Sequence, residues 1–171
     1  MTGPSAAEPT PAEVRRAIDA GDLATVRGYT VEFGPACLQP GGADELTALH
    51  YAAAAGHTEL VLYLLAPPVH ADAQAARGNQ FTPLHAAAMN GHSTVCAALI
   101  GAGAPVNAQT EPQGYAPLHS AAFGGHIETI RVLMANGADP ALLNYRKETP
   151  ADTAARAGQL AAHAILGAPG R

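Results

Sequence analysis

An all-α repeat solenoid is the architecture the sequence predicts, on three observations. The segments TALHYAAAAGH from Thr47, TPLHAAAMNGH from Thr82, APLHSAAFGGH from Ala116 and TPADTAARAGQ from Thr149 are versions of one another. Their first residues step by 35, 34 and 33 positions, and the glycines Gly56, Gly91, Gly125 and Gly158 keep the same steps. Two separate landmarks thus share one period, of the length at which single supersecondary units stack into an array. The third observation is composition: 48% of residues are hydrophobic, only 13% are charged, and tryptophan is absent. That mixture suits thin layers of close-packed helices, and alanine has the strongest helix propensity of any residue.

The Thr-Pro-Leu-His-x-Ala core at Thr82, repeated with variations at the other three sites, resembles the ankyrin repeat. The resemblance covers residues 12–167. It implies a stack of helix-turn-helix units joined by β-hairpin-like fingers. On that pattern, residues 1–10 form a loose tail and 11–32 a degenerate N-terminal capping repeat. A Gly/Pro-rich connection, 33–45, leads to full repeats at 46–80, 81–114 and 115–147. A degenerate C-terminal capping repeat, 148–167, and a short tail, 168–171, complete the chain.

Each element has a local cause. Thr10-Pro11-Ala12-Glu13 places a capping residue, a proline at the first helical position and an acid in the first turn, a helix start. Gly21 falls 35 positions before Gly56, so this opening unit keeps the period although it lacks the Thr-Pro-Leu-His turn. Its polar residues Glu13, Arg15, Arg16 and Asp19 fit a face left in water, which the end of a solenoid needs. Phe33 to Asp44, dense in Gly and Pro, reads as an extended loop with little regular structure. The full repeats then give helix pairs at 48–55 and 58–65, 83–90 and 93–100, and 117–123 and 127–135, each pair parted by a glycine turn. After Leu65 come Pro67 and Pro68, which cannot continue a helix, and Pro67 restrains Ala66 as well. Residues from Val106 begin a finger. The last unit, with helices at 150–157 and 160–166, has Ala151-Asp152 where the pattern expects Leu-His.

Charge and cysteine usage exclude several classes of function. A net charge of −5 with nine Lys+Arg offers no basic field for a phosphate backbone, so nucleic acid is not an expected partner. No apolar run approaches a membrane span, and the N-terminal residues show no basic stretch followed by an apolar one. Cys37 and Cys96 have no CxxC spacing, and Cys96 lies in an apolar helical run where a thiol behaves as a small hydrophobe. A cytoplasmic monomer is expected, the polar caps opposing assembly through the ends of the stack.

Eight histidines raise the question of a metal. Six of them are repeat landmarks: His50, His85 and His119 close the Thr-x-Leu-His or Ala-Pro-Leu-His turns, and His57, His92 and His126 follow the turn glycines. Neighbouring helices pack about 8–10 Å apart, whereas zinc sits about 2.0–2.1 Å from each ligand, so equivalent histidines of successive repeats cannot share an ion. No metal or other cofactor is expected. By the resemblance, Thr47, His50, Thr82, His85, His119 and Thr149 are turn residues, the histidines bonding turn backbone and tying one repeat to the next. A metal would have to use histidines within one repeat, such as His85 with His92, or the irregular His70 and His163.

No catalytic residue is expected. GxSxG, HExxH, GxxxxGK[ST] and GxGxxG are all absent, and Ser120 directly follows His119, so the two point in different directions on a helix.

The variable positions carry the functional reading. In ankyrin repeats, partner contacts usually come from the fingertips and the exposed side of the first helix, which line a concave groove. The position before each turn threonine, or the alanine in its place, holds Leu46, Phe81, Tyr115 and Glu148. Those before the turn glycines include Met89, Asn90, Phe123 and Arg156. Of three Phe and five Tyr in the chain, Phe81, Tyr115 and Phe123 fall here, and with Met89 they converge on the middle of the groove. Either Phe81 and Tyr115 merely cover the backs of the fingers, or these rigid aromatics and the methionine at the centre of a groove make a hot-spot cluster. The resulting expectation is a non-catalytic module that binds a protein partner. The alternative is a site for an apolar small molecule, bound or transformed, with Tyr145, Arg146, Glu148 and Arg156 as its polar end.

Overall fold

The computed structural model describes residues 7–38, 46–67, 69 and 79–167. Among these residues ten α-helices form five pairs: α1 (Pro11–Asp19) with α2 (Leu23–Phe33), α3 (Ala48–Ala55) with α4 (Thr58–Leu65), α5 (Pro83–Met89) with α6 (Ser93–Gly101), α7 (Pro117–Gly124) with α8 (Ile127–Ala135), and α9 (Pro150–Arg156) with α10 (Leu160–Leu166). The odd-numbered helices pack one on the next from α1 to α9, and α4, α6, α8 and α10 make a second row behind them. Among the described residues no helix is long and apolar enough to cross a membrane.

Sequence sets the composition of the two rows. The odd-numbered helices bury alanines, including Ala52, Ala53, Ala86, Ala87, Ala88, Ala121, Ala122 and Ala154, so their backbones approach closely. The even-numbered ones bury larger groups, with Leu60, Val61 and Leu64 in α4, Val95 and Leu99 in α6, and Ile130 and Leu133 in α8. Each buried leucine contributes about 1.5–3 kcal/mol relative to exposure. Helices of this length are marginal alone, and their stability comes from packing between units.

Local signals act as the residues dictate. The Thr10 hydroxyl accepts from Glu13 N, while the Glu13 carboxylate accepts from Thr10 N at 2.8 Å, closing a capping box at α1. Gly56 and Gly125 end α3 and α7 in the left-handed conformation. Ala66, ahead of Pro67, is extended, and α4 stops at Leu65.

Two expectations are corrected, for the 33–45 connection and for the C-terminal unit. The 33–45 connection is not wholly irregular: Pro35–Leu38 winds into a 3₁₀ turn against α2 and buries Cys37 and Leu38 in the core. Two apolar side chains there gain a place to pack, which outweighs the flanking glycine and prolines. The fingers are hairpin-like as expected, hydrogen-bonded turns with a bridge residue at Phe81 and no extended strand among the described residues. The C-terminal unit does not end in a polar face. Leu160 is 76% and Ile165 38% exposed on α10, at the positions where α8 carries the partly buried Ile127 and Val132. They keep the apolar register of an internal repeat with no unit laid over them among the described residues. By contrast, α1 exposes Glu13, Arg16 and Asp19. The two tails beyond residues 7–10, the stretch 39–45, the second proline after Leu65, and His70 lie outside the described residues.

Candidate functional site

Two rows of histidines build the platform on which the candidate site stands. In the first row, His50 Nε2 meets the Phe81 carbonyl at 3.0 Å, His85 Nε2 the Tyr115 carbonyl at 2.9 Å, and His119 Nε2 the Glu148 carbonyl at 3.1 Å. Each Nδ1 faces a backbone N–H three residues back, Thr47, Thr82 or Ala116, at 3.2 Å. A carbonyl can only accept and a backbone N–H can only donate, so each imidazole is neutral with its proton on Nε2. Thr47 and Thr82 add a hydroxyl at 2.8 Å from the same Nδ1. Ala116 has none, so His119 keeps the backbone bond alone. In the last unit the Asp152 carboxylate takes the place of the imidazole, accepting from Thr149 N at 3.0 Å and Thr149 Oγ1 at 2.7 Å, the local half of the same device.

Burial enforces this state. It pushes His85 down to about 4, despite the opposing bond to Tyr115, and lowers His119 in the same sense. With both ring nitrogens engaged, neither histidine has a lone pair to serve as a general base for Ser120. Burial also pushes the Cys96 thiol up to about 12 and raises Cys37, so neither is an activated nucleophile. Among the described residues no group of three His, Cys, Asp or Glu is placed to hold a metal.

The second row runs the other way, a direction the sequence does not reveal. His57, His92 and His126 donate from Nε2 to the carbonyls of Asp19, Ala54 and Met89 in the preceding unit, at 2.9, 3.0 and 3.0 Å. Each ring lies over a left-handed glycine of that unit, Gly21, Gly56 or Gly91, where a Cβ would stand 2.6–2.7 Å from ring atoms. The Gly-His dipeptide is visible in each repeat, but not the neighbour it serves. Gly91→Ala is expected to cost about 2 kcal/mol, combining the left-handed penalty with displacement of the His126 ring. Urea unfolding checks it. A loss under about 0.5 kcal/mol, the range of an ordinary surface change, would mean the ring is not held there.

On this platform lies a cleft of about 370 Å³ between the fingers and the odd-numbered helices. Phe81 and Tyr115 come from the fingers, Met89 from α5, Phe123 from α7 and Arg156 from α9, so five of the expected residues share one site. Asn79, Thr110, Gln113 and Ser120 also line it and were not expected from the sequence. Polar finger residues carry no periodic signal that would mark them.

The aromatic residues do not behave alike. Phe81 is partly buried against the core and stacks on His85 and His50, with centroids 5.4 and 6.3 Å apart. Tyr115 meets His119 and Tyr145 edge to face. Both therefore serve the scaffold as well as the cleft. Met89 and Phe123 are 47% and 53% exposed.

The other expected residues lie outside the cleft lining. Leu46 packs partly buried on the core, and Asn90 donates its side-chain amide to the Ala86 carbonyl. Tyr145 flanks Tyr115, and Arg146 lies 5.1 Å over the Tyr145 ring with Nε 2.5 Å from its hydroxyl. Glu148 pairs with Arg156 at 3.0 Å at the edge of the site.

The fingers are tied to one another. Thr110 N donates to Tyr115 O, Asn144 N to Glu148 O, Glu111 N to Asn79 O, and Tyr145 N to Gln113 O. The last two bonds cross from one finger to the next.

Comparison with known families finds a model for ankyrin repeats (3 copies) matching residues 15–110, and one for ankyrin repeats (many copies) matching residues 118–163. No curated protein matches the chain.

Proposed function

Because the chain belongs to the ankyrin repeat family, whose repeats are generally protein–protein interaction modules, we propose that it is a non-catalytic module holding a protein partner in the cleft between fingers and helices. The observation that carries this reading is pre-organisation beneath exposed apolar groups. The carbonyls of Phe81 and Tyr115 are held by the first histidine row and that of Met89 by the second, while the Met89 and Phe123 side chains remain open to solvent. A surface already ordered loses little entropy on association, and apolar anchors at its centre are where binding energy concentrates. A reducing cytoplasm belongs to the same proposal, resting on two buried free thiols, and the charged N-terminal cap opposes assembly at that end of the stack.

Met89→Ala combined with Phe123→Ala tests the assignment. Both side chains are half exposed, so the melting temperature should stay close to the parent's, while recovery of a specific partner should fall at least tenfold. Recovery equal to the parent's would place the interaction elsewhere.

A second reading, an apolar small molecule, is favoured by the cleft volume of about 370 Å³, which falls within the range of ligand pockets. Native mass spectrometry after exposure to a metabolite extract separates the two, since a protein that retains nothing counts against it.

A further inference from the structure

The polar end of the cleft narrows the chemistry of the partner. Of the described residues lining it, Arg156 alone carries a charge, His85 and His119 being held neutral by their hydrogen bonds. Arg156 gives only its Nε to Glu148, at 3.0 Å to Oε1 and 3.3 Å to Oε2. Glu148 is itself steadied by the Asn144 side-chain amide at 3.1 Å on Oε2, and its backbone N–H donates to Asn144 Oδ1. The guanidinium is therefore gripped at its base. Its two terminal nitrogens, with four N–H donors, meet no acceptor among the described residues, and the side chain is 37% exposed.

The Glu148 carboxylate also feels the charge of Arg146, so it is shared between two cations and does not neutralise Arg156 alone.

We propose that the cleft reads a protein segment bearing an apolar side chain beside a carboxylate, the apolar group seated on Met89 and Phe123 and the carboxylate received by the free fork of Arg156. The inference rests on the cleft being the partner site. Two parallel N–H donors match a carboxylate's two oxygens, giving direction as well as attraction. A monoanion suits the site better than a phosphate dianion, because the Glu148 carboxylate lies beside the same guanidinium.

A display library of random linear peptides, panned on the full chain, supplies the probe. Enriched peptides should carry Asp or Glu next to an apolar residue. Their affinity should fall at least tenfold for Arg156→Gln and for Phe123→Ala, with Arg156→Lys between Arg156→Gln and the parent. Raising salt should weaken binding to the parent and leave binding to Arg156→Gln nearly unchanged. The circular dichroism and melting temperature of each variant establish that it folds, and loss of an exposed ion pair should barely move either. Peptides that depend on Phe123 but not on Arg156 would overturn the carboxylate and leave the cleft as partner site. Peptides that depend on neither, or no enrichment at all, would overturn both. Preference for a phosphoserine peptide over its glutamate counterpart would also overturn the choice of carboxylate.

Discussion

Replacing His85 with alanine is expected to lower the free energy of unfolding by about 3–5 kcal/mol. The ring is 0% exposed and serves three partners at once: Thr82 N at 3.2 Å, Thr82 Oγ1 at 2.8 Å and the Tyr115 carbonyl at 2.9 Å. Truncation leaves a donor on one repeat and an acceptor on the next without a bond, and each buried orphan costs about 1–3 kcal/mol. The space left by the ring adds a cavity term. Units of a solenoid are coupled chiefly to their neighbours, so the damage sits at the junction between the second and third full repeats. Urea unfolding followed by circular dichroism should show a lower midpoint and a broader transition. A loss below about 1 kcal/mol, less than one buried orphan costs, would mean that this histidine is not a staple. The same variant should weaken partner binding, because the Tyr115 backbone is no longer held.

Acidification should remove about 3 kcal/mol of stability between pH 6.5 and 4. The folded His85 is held near 4 by burial, whereas the unfolded side chain titrates at its ordinary value of 6.5. Within that window the unfolded chain binds more protons than the folded one. The contribution is thus fully present above pH 6.5 and is lost as pH falls toward 4, at about 1.4 kcal/mol for each pH unit crossed. His119 acts in the same direction. The carboxylates of Glu148 and Asp152 are held below their ordinary range, Glu148 first by Asn144 and Asp152 first by the Thr149 backbone, so their losses come at lower pH. Denaturant unfolding at intervals from about pH 7.5 to about pH 2 would resolve the two regimes. A flat profile above about pH 5 would contradict the neutral, buried imidazole. In His85→Ala the slope between pH 6.5 and 4 should shrink, which ties the effect to this residue.

Much of the fold is legible in the sequence because its determinants are local or periodic. The capping box at Thr10 and Glu13, the Thr-Pro starts at Thr82 and Thr149, and the left-handed glycines at Gly56 and Gly125 act within a single turn of chain. The 33–35 residue step supplies the stacking order without knowledge of any contact. Even the first histidine row shows in part, since its Nδ1 partner lies only three residues back.

Tertiary structure decided what depended on partners about 30 or more residues away. The sequence shows His126 after Gly125, but only the packed stack sets its ring over Gly91 and its Nε2 on the Met89 carbonyl, 37 residues distant. Leu46 and Phe81 occupy equivalent positions, yet Leu46 packs on the core outside the cleft, while Phe81 stacks on two histidines and also lines the cleft. Cys37 and Leu38 sit among residues that read as loop, and they became core because α2 offered a surface to cover. Local propensity is worth tenths of a kcal/mol per residue and sets where helices begin and end. Burial of a side chain is worth several times that and is settled only when the neighbouring unit is in place.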